Sequence, residues 1–463
     1  MLFSSITFLY AFLPVVLAGC FLLPRRLRNG WLLAASLVFY AFGEPRWVLL
    51  LALCALSGWG FGLIMERRRG GRGAKAALAC GLILDLGLLC LFKYADFLIS
   101  GINGLLGISL LLPGLSLPLG ISFFTFQAMS YLVDVYRGRA RGERSLLSFA
   151  AFLCLFPQLV AGPIVRYTDV SEALHDRRTS WEDAARGVRR FLCGLGKKVL
   201  LANALGELCV VFRGTEDKSM AFYWLYAAAF TLQIYFDFSG YSDMAIGLGR
   251  LLGFPFPENF DYPYISASVT EFWRRWHKTL SGWFRDYVYI PLGGNRVSRG
   301  RWAVNLAAVW LLTGLWHGAA WNFVLWGGGY GVLLILEKLW LGKHLARLGP
   351  VLPRIYVLLV TMLGFVVFNA GGLAGAWTDL RGLFGGGGLP LWNEITGYYL
   401  SSYAGLLLLG TLGATPLCRR LYERMEHYGA LTLLEPLALT ALLALCTAAL
   451  VDGSFNPFLY FRF

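Results

Sequence analysis

The sequence predicts an all-α membrane protein that crosses the bilayer many times. Three observations carry that reading: apolar runs recur from one end of the chain to the other, charge is scarce, and the basic charge is gathered in short clusters between the runs. Of 463 residues, 57% are hydrophobic and 15% charged, with a mean hydropathy of +0.60. An ordinary soluble domain is about 45–50% apolar and about 25% charged. Runs at residues 2–23, 48–64, 76–92, 220–238 and 431–451 approach the roughly 20 residues a helix needs to cross the hydrocarbon core. No long polar stretch separates them, so residues 1–463 read as a single membrane-embedded domain.

The net charge of +14 does not call for nucleic acid. The basic residues occupy short loops, the pattern of cytoplasmic loops in a multispanning protein, and anionic headgroups of membrane lipids account for the excess. Nine cysteines are scattered through apolar segments without a CxxC pair, so they read as small packed hydrophobes and no metal site is expected. Leu17, Ala18, Gly19 and Cys20 imitate a lipoprotein cleavage box, but residues 1–8 carry no positive charge. The arginines follow instead, at Arg25, Arg26 and Arg28, which favours an uncleaved first helix with its N-terminus outside.

The basic clusters set the expected order of elements. Residues 2–23, 31–42, 48–64 and 76–92 cross in turn; 97–112, interrupted by Asn103 and glycines, lies at the outer interface; and 117–135 crosses. Residues 146–165 lie between two basic clusters and must dip in and return, with Pro157, Gly162 and Pro163 supplying the breaks. Crossings follow at 191–211 and 220–238, then a basic, aromatic cytoplasmic stretch over 240–300, a hairpin of 302–316 and 320–336, and crossings near 355–368, 398–412 and 431–451. The total is about twelve spans with both termini outside.

Polar residues are costly inside a bilayer, so their distribution points to function. They gather between Tyr235 and Trp321. His317, between Trp316 and Gly318 at the end of an apolar run, reads either as a satisfied structural histidine or as a buried proton acceptor. Gly314 and Gly318 permit close approach of a helix or of a substrate chain. His277 falls on an expected amphipathic helix with Glu271 and Arg274, where Trp273 and Trp276 suit interfacial anchors and the histidine a surface position. Asp237 and Asp243, with Ser239 and Ser242, suit caps for a following helix. Arg274, Arg275, Lys278 and Arg285 read either as a solvated positive loop or as holders of donor phosphates. A buried ionisable pathway is also what a transporter or lipid flippase would need.

Taken together, these stretches resemble the membrane-bound O-acyltransferase superfamily, and within it the bacterial polysaccharide branch typified by the alginate O-acetyltransferase membrane subunit. The resemblance covers nearly the whole chain. It rests on residues 119–126 (Leu-Gly-Ile-Ser-Phe-Phe-Thr-Phe), 156–163 (Phe-Pro-Gln-Leu-Val-Ala-Gly-Pro), 235–243, 272–277 (Phe-Trp-Arg-Arg-Trp-His), 287–294 and 315–318 (Leu-Trp-His-Gly). It implies a ring of tilted helices around a central tunnel, His317 as the catalytic base, and His277 as a second active-site residue that orients or polarises the thioester carbonyl. Trp273, Trp276, Trp316, Tyr241, Asp237, Ser239, Arg274 and Arg275 would then line the site or bind the donor. The aromatic tail at 455–463 is similar to one that carries an acyl-relay tyrosine, which would be Tyr460 here; an interfacial anchor explains it equally well.

The resemblance implies no permanently bound cofactor. It implies an acyl thioester co-substrate (acetyl-CoA or an acyl-carrier thioester), an exported polysaccharide as acceptor, a separate extracytoplasmic transferase of SGNH type as partner, and residence in the bacterial plasma membrane. The chain itself has no Gly-x-Ser-x-Gly nucleophile elbow.

Overall fold

The computed structural model describes residues 1–425, 429–453 and 459, with the backbone alone at 429–433. Among these residues every regular element is a helix and no strand occurs. The chain divides into two compact units, Met1–Phe191 with Tyr241–Glu258, and Leu192–Gly240 with Asn259–Phe463. The boundary passes through the 32-residue helix Met220–Leu251.

In the first unit, Phe8–Leu22 forms a short apolar helix that receives the Trp31 indole. The Trp31 N–H donates to the Val16 carbonyl at 3.0 Å, and a Cβ on Gly19 would stand 2.2 Å from the indole. The glycine of the lipoprotein-like box is thus a packing glycine, and its neighbour Cys20 is buried. Residues 146–165 break as their prolines require: Leu146–Cys154 is followed by the four-residue helix Phe156–Leu159, and 151–165 are buried throughout. A break buried at such depth needs hydrogen-bond partners. The Ser36 hydroxyl accepts from the Phe156 N–H at 3.1 Å, and the Gln158 amide donates to the Phe152 carbonyl at 2.6 Å.

Among the described residues four helices are long and apolar enough to cross a membrane: Pro45–Arg67, Arg72–Leu106, Trp321–Leu348 and Leu434–Asp452. A fifth forms if Glu394–Gly413 and Leu417–Met425, bent by 66°, are one span. The shorter apolar helices Phe8–Leu22 and Leu352–Phe368 coincide with two further expected crossings. Residues 97–106 differ from expectation. They continue the preceding helix to Leu106, with Asn103 half-buried inside that helix and bonded through its side chain to the backbone of Leu110.

In the second unit the hairpin Arg299–His317 and Trp321–Leu336 closes on glycines. A Cβ on Gly314 would lie 2.3 Å from the Phe323 carbonyl oxygen, one on Gly318 2.2 Å from the Phe323 ring, and one on Gly327 2.4 Å from the Trp310 carbonyl oxygen. Both glycines flanking His317 therefore serve helix packing. Gly327→Leu is expected to force the two helices apart and destabilise the protein by about 1–3 kcal/mol or more. A lowered melting temperature of the purified protein in detergent checks this, with Gly329→Ala, whose Cβ meets nothing within 4 Å, as the neutral control.

Candidate active site

The segment carrying the first histidine is broken where the sequence suggested a continuous helix. Val269–Arg275 ends at Trp276, and Lys278–Phe284 begins after His277. His277 occupies the left-handed region at φ 45°, as does Tyr262. For a non-glycine residue this costs about 1–3 kcal/mol and persists only where the surroundings enforce it. The enforcing residue is Asn259. Its side-chain Oδ1 accepts from the Thr279 N–H at 3.3 Å and the Thr279 hydroxyl at 2.9 Å, and lies 3.0 Å from His277 Nδ1; its backbone carbonyl accepts from the Lys278 N–H at 2.9 Å. Because a backbone amide already donates to Oδ1, that atom is the oxygen, and His277 Nδ1 must carry the proton. His277 Nε2 therefore holds the lone pair. Burial, with the residue 1% exposed, pushes this imidazole down to about 3, so it is neutral across physiological pH.

His317 is the last residue of its helix and is buried. Its ring packs edge to face against Trp316 at 4.9 Å, Trp326 at 5.2 Å and Phe368 at 5.2 Å. Trp316 also meets the His277 ring at 5.9 Å, so one indole touches both imidazoles. Both histidines line a single cavity of about 580 Å³. Its buried end is aromatic, with Trp273 edge-on to Trp310 at 4.7 Å, and its exposed end carries Arg274, Lys278, Arg285 and Lys338. A neutral proton acceptor beside a second oriented imidazole, in an aromatic pocket with a cationic rim, suits group transfer from a phosphorylated donor.

Comparison with known proteins gives the same direction. Residues 136–343, which span both histidines and the whole cavity, match the model of the membrane-bound O-acyltransferase family. The probable alginate O-acetylase AlgI of Azotobacter vinelandii is 38% identical over the full length of both chains. Its counterpart in Pseudomonas aeruginosa is 43% identical over 83% of this chain and 75% of its own, and the peptidoglycan O-acetyltransferase of Helicobacter pylori 34% over 84% and 81%. This chain belongs to the membrane-bound O-acyltransferase family. It is a multi-pass membrane enzyme, an O-acyltransferase, and the transporter or flippase reading falls away.

Of the residues singled out in the acyltransferase's sequence, His317, His277, Trp273 and Arg274 line the cavity together. Trp316 stands behind the two imidazoles. Trp276 is buried against Phe272 at 5.6 Å and Phe365 at 5.1 Å, so neither it nor Trp273 is an interfacial anchor, and His277 is not a surface residue. Arg275 is paired with Glu271 and Asp261 rather than offered to a ligand. Tyr241, in the other unit, stacks on Phe3 at 4.5 Å.

Asp237 and Ser239 do not cap a helix. The helix runs unbroken through them, so there are no orphan N–H groups at this point for a cap to satisfy. Asp237 forms a buried ion pair with Lys198 at 2.6 Å, and Lys198 also donates to Asn203. A Cβ on Gly240 would stand 2.8 Å from the Gly194 carbonyl oxygen of the helix alongside. Asp243 is likewise no cap: Arg190 holds it together with Glu258. Tyr460 lies outside the described residues; its neighbour Leu459 donates its N–H to Asp237 Oδ2 at 2.9 Å.

Sequence reasoning missed three supports of the site. Asn259 was visible only as one polar residue among several. Glu337, buried, accepts from the N–H groups of Val269 and Thr270 at 2.6 and 2.9 Å and so anchors the helix that carries Trp273 and Arg274. Lys198 sits beside Lys197 inside the expected crossing 191–211, where the sequence shows no partner for it. No local signal marks these roles, because the partners are 18 to 68 residues away.

Two outcomes follow for this site. Lys198→Ala should cost about 3–5 kcal/mol by stranding the Asp237 charge, and the double change Lys198→Met, Asp237→Leu should recover much of it; denaturation in detergent measures both. Asn259→Ala frees the His277 turn, and is expected to lower acyl transfer by roughly tenfold or more while His277→Asn, which tolerates the left-handed turn, keeps the fold. Rates and melting temperatures of the two variants test the pair.

Proposed function

We propose that this enzyme moves an acetyl or similarly small acyl group from a cytoplasmic thioester donor across the inner membrane toward an exported polysaccharide. The observation that carries the reading is the single cavity lined by both imidazoles and rimmed by cations. The relatives' names point to glycan acceptors, alginate in one group and peptidoglycan in another. Arg274 and Lys278, exposed at the rim, would hold the phosphates of a coenzyme A or carrier-borne donor, whose acyl end then reaches the aromatic floor.

In this proposal His317 takes the proton of an acceptor hydroxyl as its oxygen attacks the thioester carbonyl. The carbon–sulfur bond breaks, and the imidazolium returns the proton to the departing thiolate, so no oxidant, metal or added base is required. His277 contributes as a neutral acceptor. With Nδ1–H committed to Asn259, its Nε2 lone pair receives an N–H or O–H of the bound substrates, so it orients them rather than polarising the carbonyl as a donor. Tyr460, immediately after the Leu459 amide that Asp237 holds, would receive the acyl group and pass it to an extracytoplasmic SGNH-type transferase. The about twelve-span ring with a central tunnel, and both termini outside, complete this proposal.

In proteoliposomes supplied with labelled acetyl thioester, His317→Ala is expected to lower acyl transfer by roughly 10²–10⁴-fold while the protein still folds. Transfer at the wild-type rate would overturn the assignment of the base. Arg274→Gln with Lys278→Gln should raise KM for the thioester by about tenfold and leave kcat nearly unchanged, which is the signature of lost donor binding alone.

A further inference from the structure

A second cavity, of about 730 Å³, lies wholly within the second unit between the helices Trp321–Leu348, Leu352–Phe368 and Leu373–Leu383. Its wall is apolar, built from side chains such as Leu325, Trp326, Leu333, Val360 and Leu363. Trp377 and Phe384 at its edge are each 68% exposed, so the groove opens outward from the protein rather than into the core. Arg381 is the one charged residue among those that line it. The carboxylate two residues earlier, Asp379, is engaged by Arg213 in a two-armed pair, with distances of 2.8 and 2.7 Å, and does not neutralise Arg381. The groove backs onto the active site through two side chains that line it: Trp326 packs on the His317 ring at 5.2 Å, and Tyr330 meets Trp273 at 4.9 Å.

We propose that this groove is a binding site for one anionic phospholipid, an acyl chain lying along the wall from Gly329 to Trp326 and the headgroup phosphate meeting the Arg381 guanidinium. Three features select that occupant. One face of the groove belongs to a helix long and apolar enough to span the bilayer, where hydrocarbon chains are the surrounding solvent. The wall offers nothing to a polar ligand, whereas apolar surface of this extent gains from contact with a long chain. The charge is exposed and lies beside the exposed Trp377, four residues before it, and Phe384, three after, which suits an amphipathic ligand whose head lies at the interface and whose tail runs inward. A chain seated there would brace Trp326 and, through it, the orientation of His317.

The structure supplies a selective probe. A Cβ on Gly329 meets nothing within 4 Å, so a larger side chain at that position projects into the groove instead of into protein. The full-length protein, purified and stripped of lipid in detergent, is titrated with phosphatidylglycerol against phosphatidylcholine, and retained lipid is read by native mass spectrometry. The wild type is expected to keep one phosphatidylglycerol per chain in preference to phosphatidylcholine. Gly329→Leu should weaken that retention by roughly tenfold at an unchanged melting temperature, and Arg381→Gln should remove the preference for the anionic headgroup.

Undiminished retention in Gly329→Leu overturns the site, and an intact preference in Arg381→Gln overturns the headgroup assignment. If light scattering shows a dimer that Gly329→Leu dissolves without change in lipid retention, the groove receives a second copy of this chain and the lipid assignment fails. Should Gly329→Leu melt early, Arg381→Gln together with Leu363→Trp, which fills the groove from the opposite wall, decides the question. Retention is measured without acyl transfer, so its failure is distinct from a failure of the His317 assignment.

Discussion

The site depends on one hydrogen-bonded side chain, Asn259. Its carboxamide oxygen is fixed by the Thr279 amide and hydroxyl, and that fixed oxygen determines which nitrogen of His277 bears the proton. The same contacts hold a non-glycine residue at positive φ, ending one short helix and starting the next so that an imidazole enters the cavity where a regular helix would carry it past. About 1–3 kcal/mol of backbone strain is thereby offset by a local network in which each bond is worth about 1 kcal/mol, somewhat more when sheltered from water. Strain of this kind, concentrated next to a reactive group and held by several bonds, is pre-organisation.

Within the second unit the buried carboxylates divide by what neutralises them. Asp237 has Lys198, Asp379 has Arg213, and Glu337 takes the N-terminus of the helix that bears Trp273. A carboxylate committed to a cation or to two backbone amides is costly to move and ill suited to exchange protons. Two histidines, several aromatic rings and a cationic rim are what face the cavity. The division between scaffold and chemistry therefore follows from pairing alone, and it agrees with the membership of an O-acyltransferase family.

Much of this was legible in the sequence, for reasons that can be named. Long apolar runs with basic clusters between them announce spanning helices whatever their packing. The hairpin ending at His317 was placed because apolar periodicity and paired glycines survive in any tertiary context. The breaks near Pro157 were readable because a proline removes a donor locally. The turn at His277 was not, since residues 269–284 have the composition of one amphipathic helix and only Asn259, 18 residues earlier, interrupts it. Asp237 looked like a cap for the same reason: its partner Lys198 lies on another helix, and sequence order hides an ion pair between them. The glycines and Asn103 of 97–106 suggest breaks that do not occur, and the helix continues to Leu106.

A structure of the protein bound to a non-hydrolysable acetyl thioether analogue of the donor tests the central claim most directly. The account predicts the acyl carbonyl in the aromatic end of the 580 Å³ cavity, within about 3–3.5 Å of an acceptor oxygen that His317 can deprotonate, with phosphate density beside Arg274 and Lys278. An analogue whose acyl end lies away from both imidazoles, or whose phosphates sit elsewhere on the protein, would contradict it.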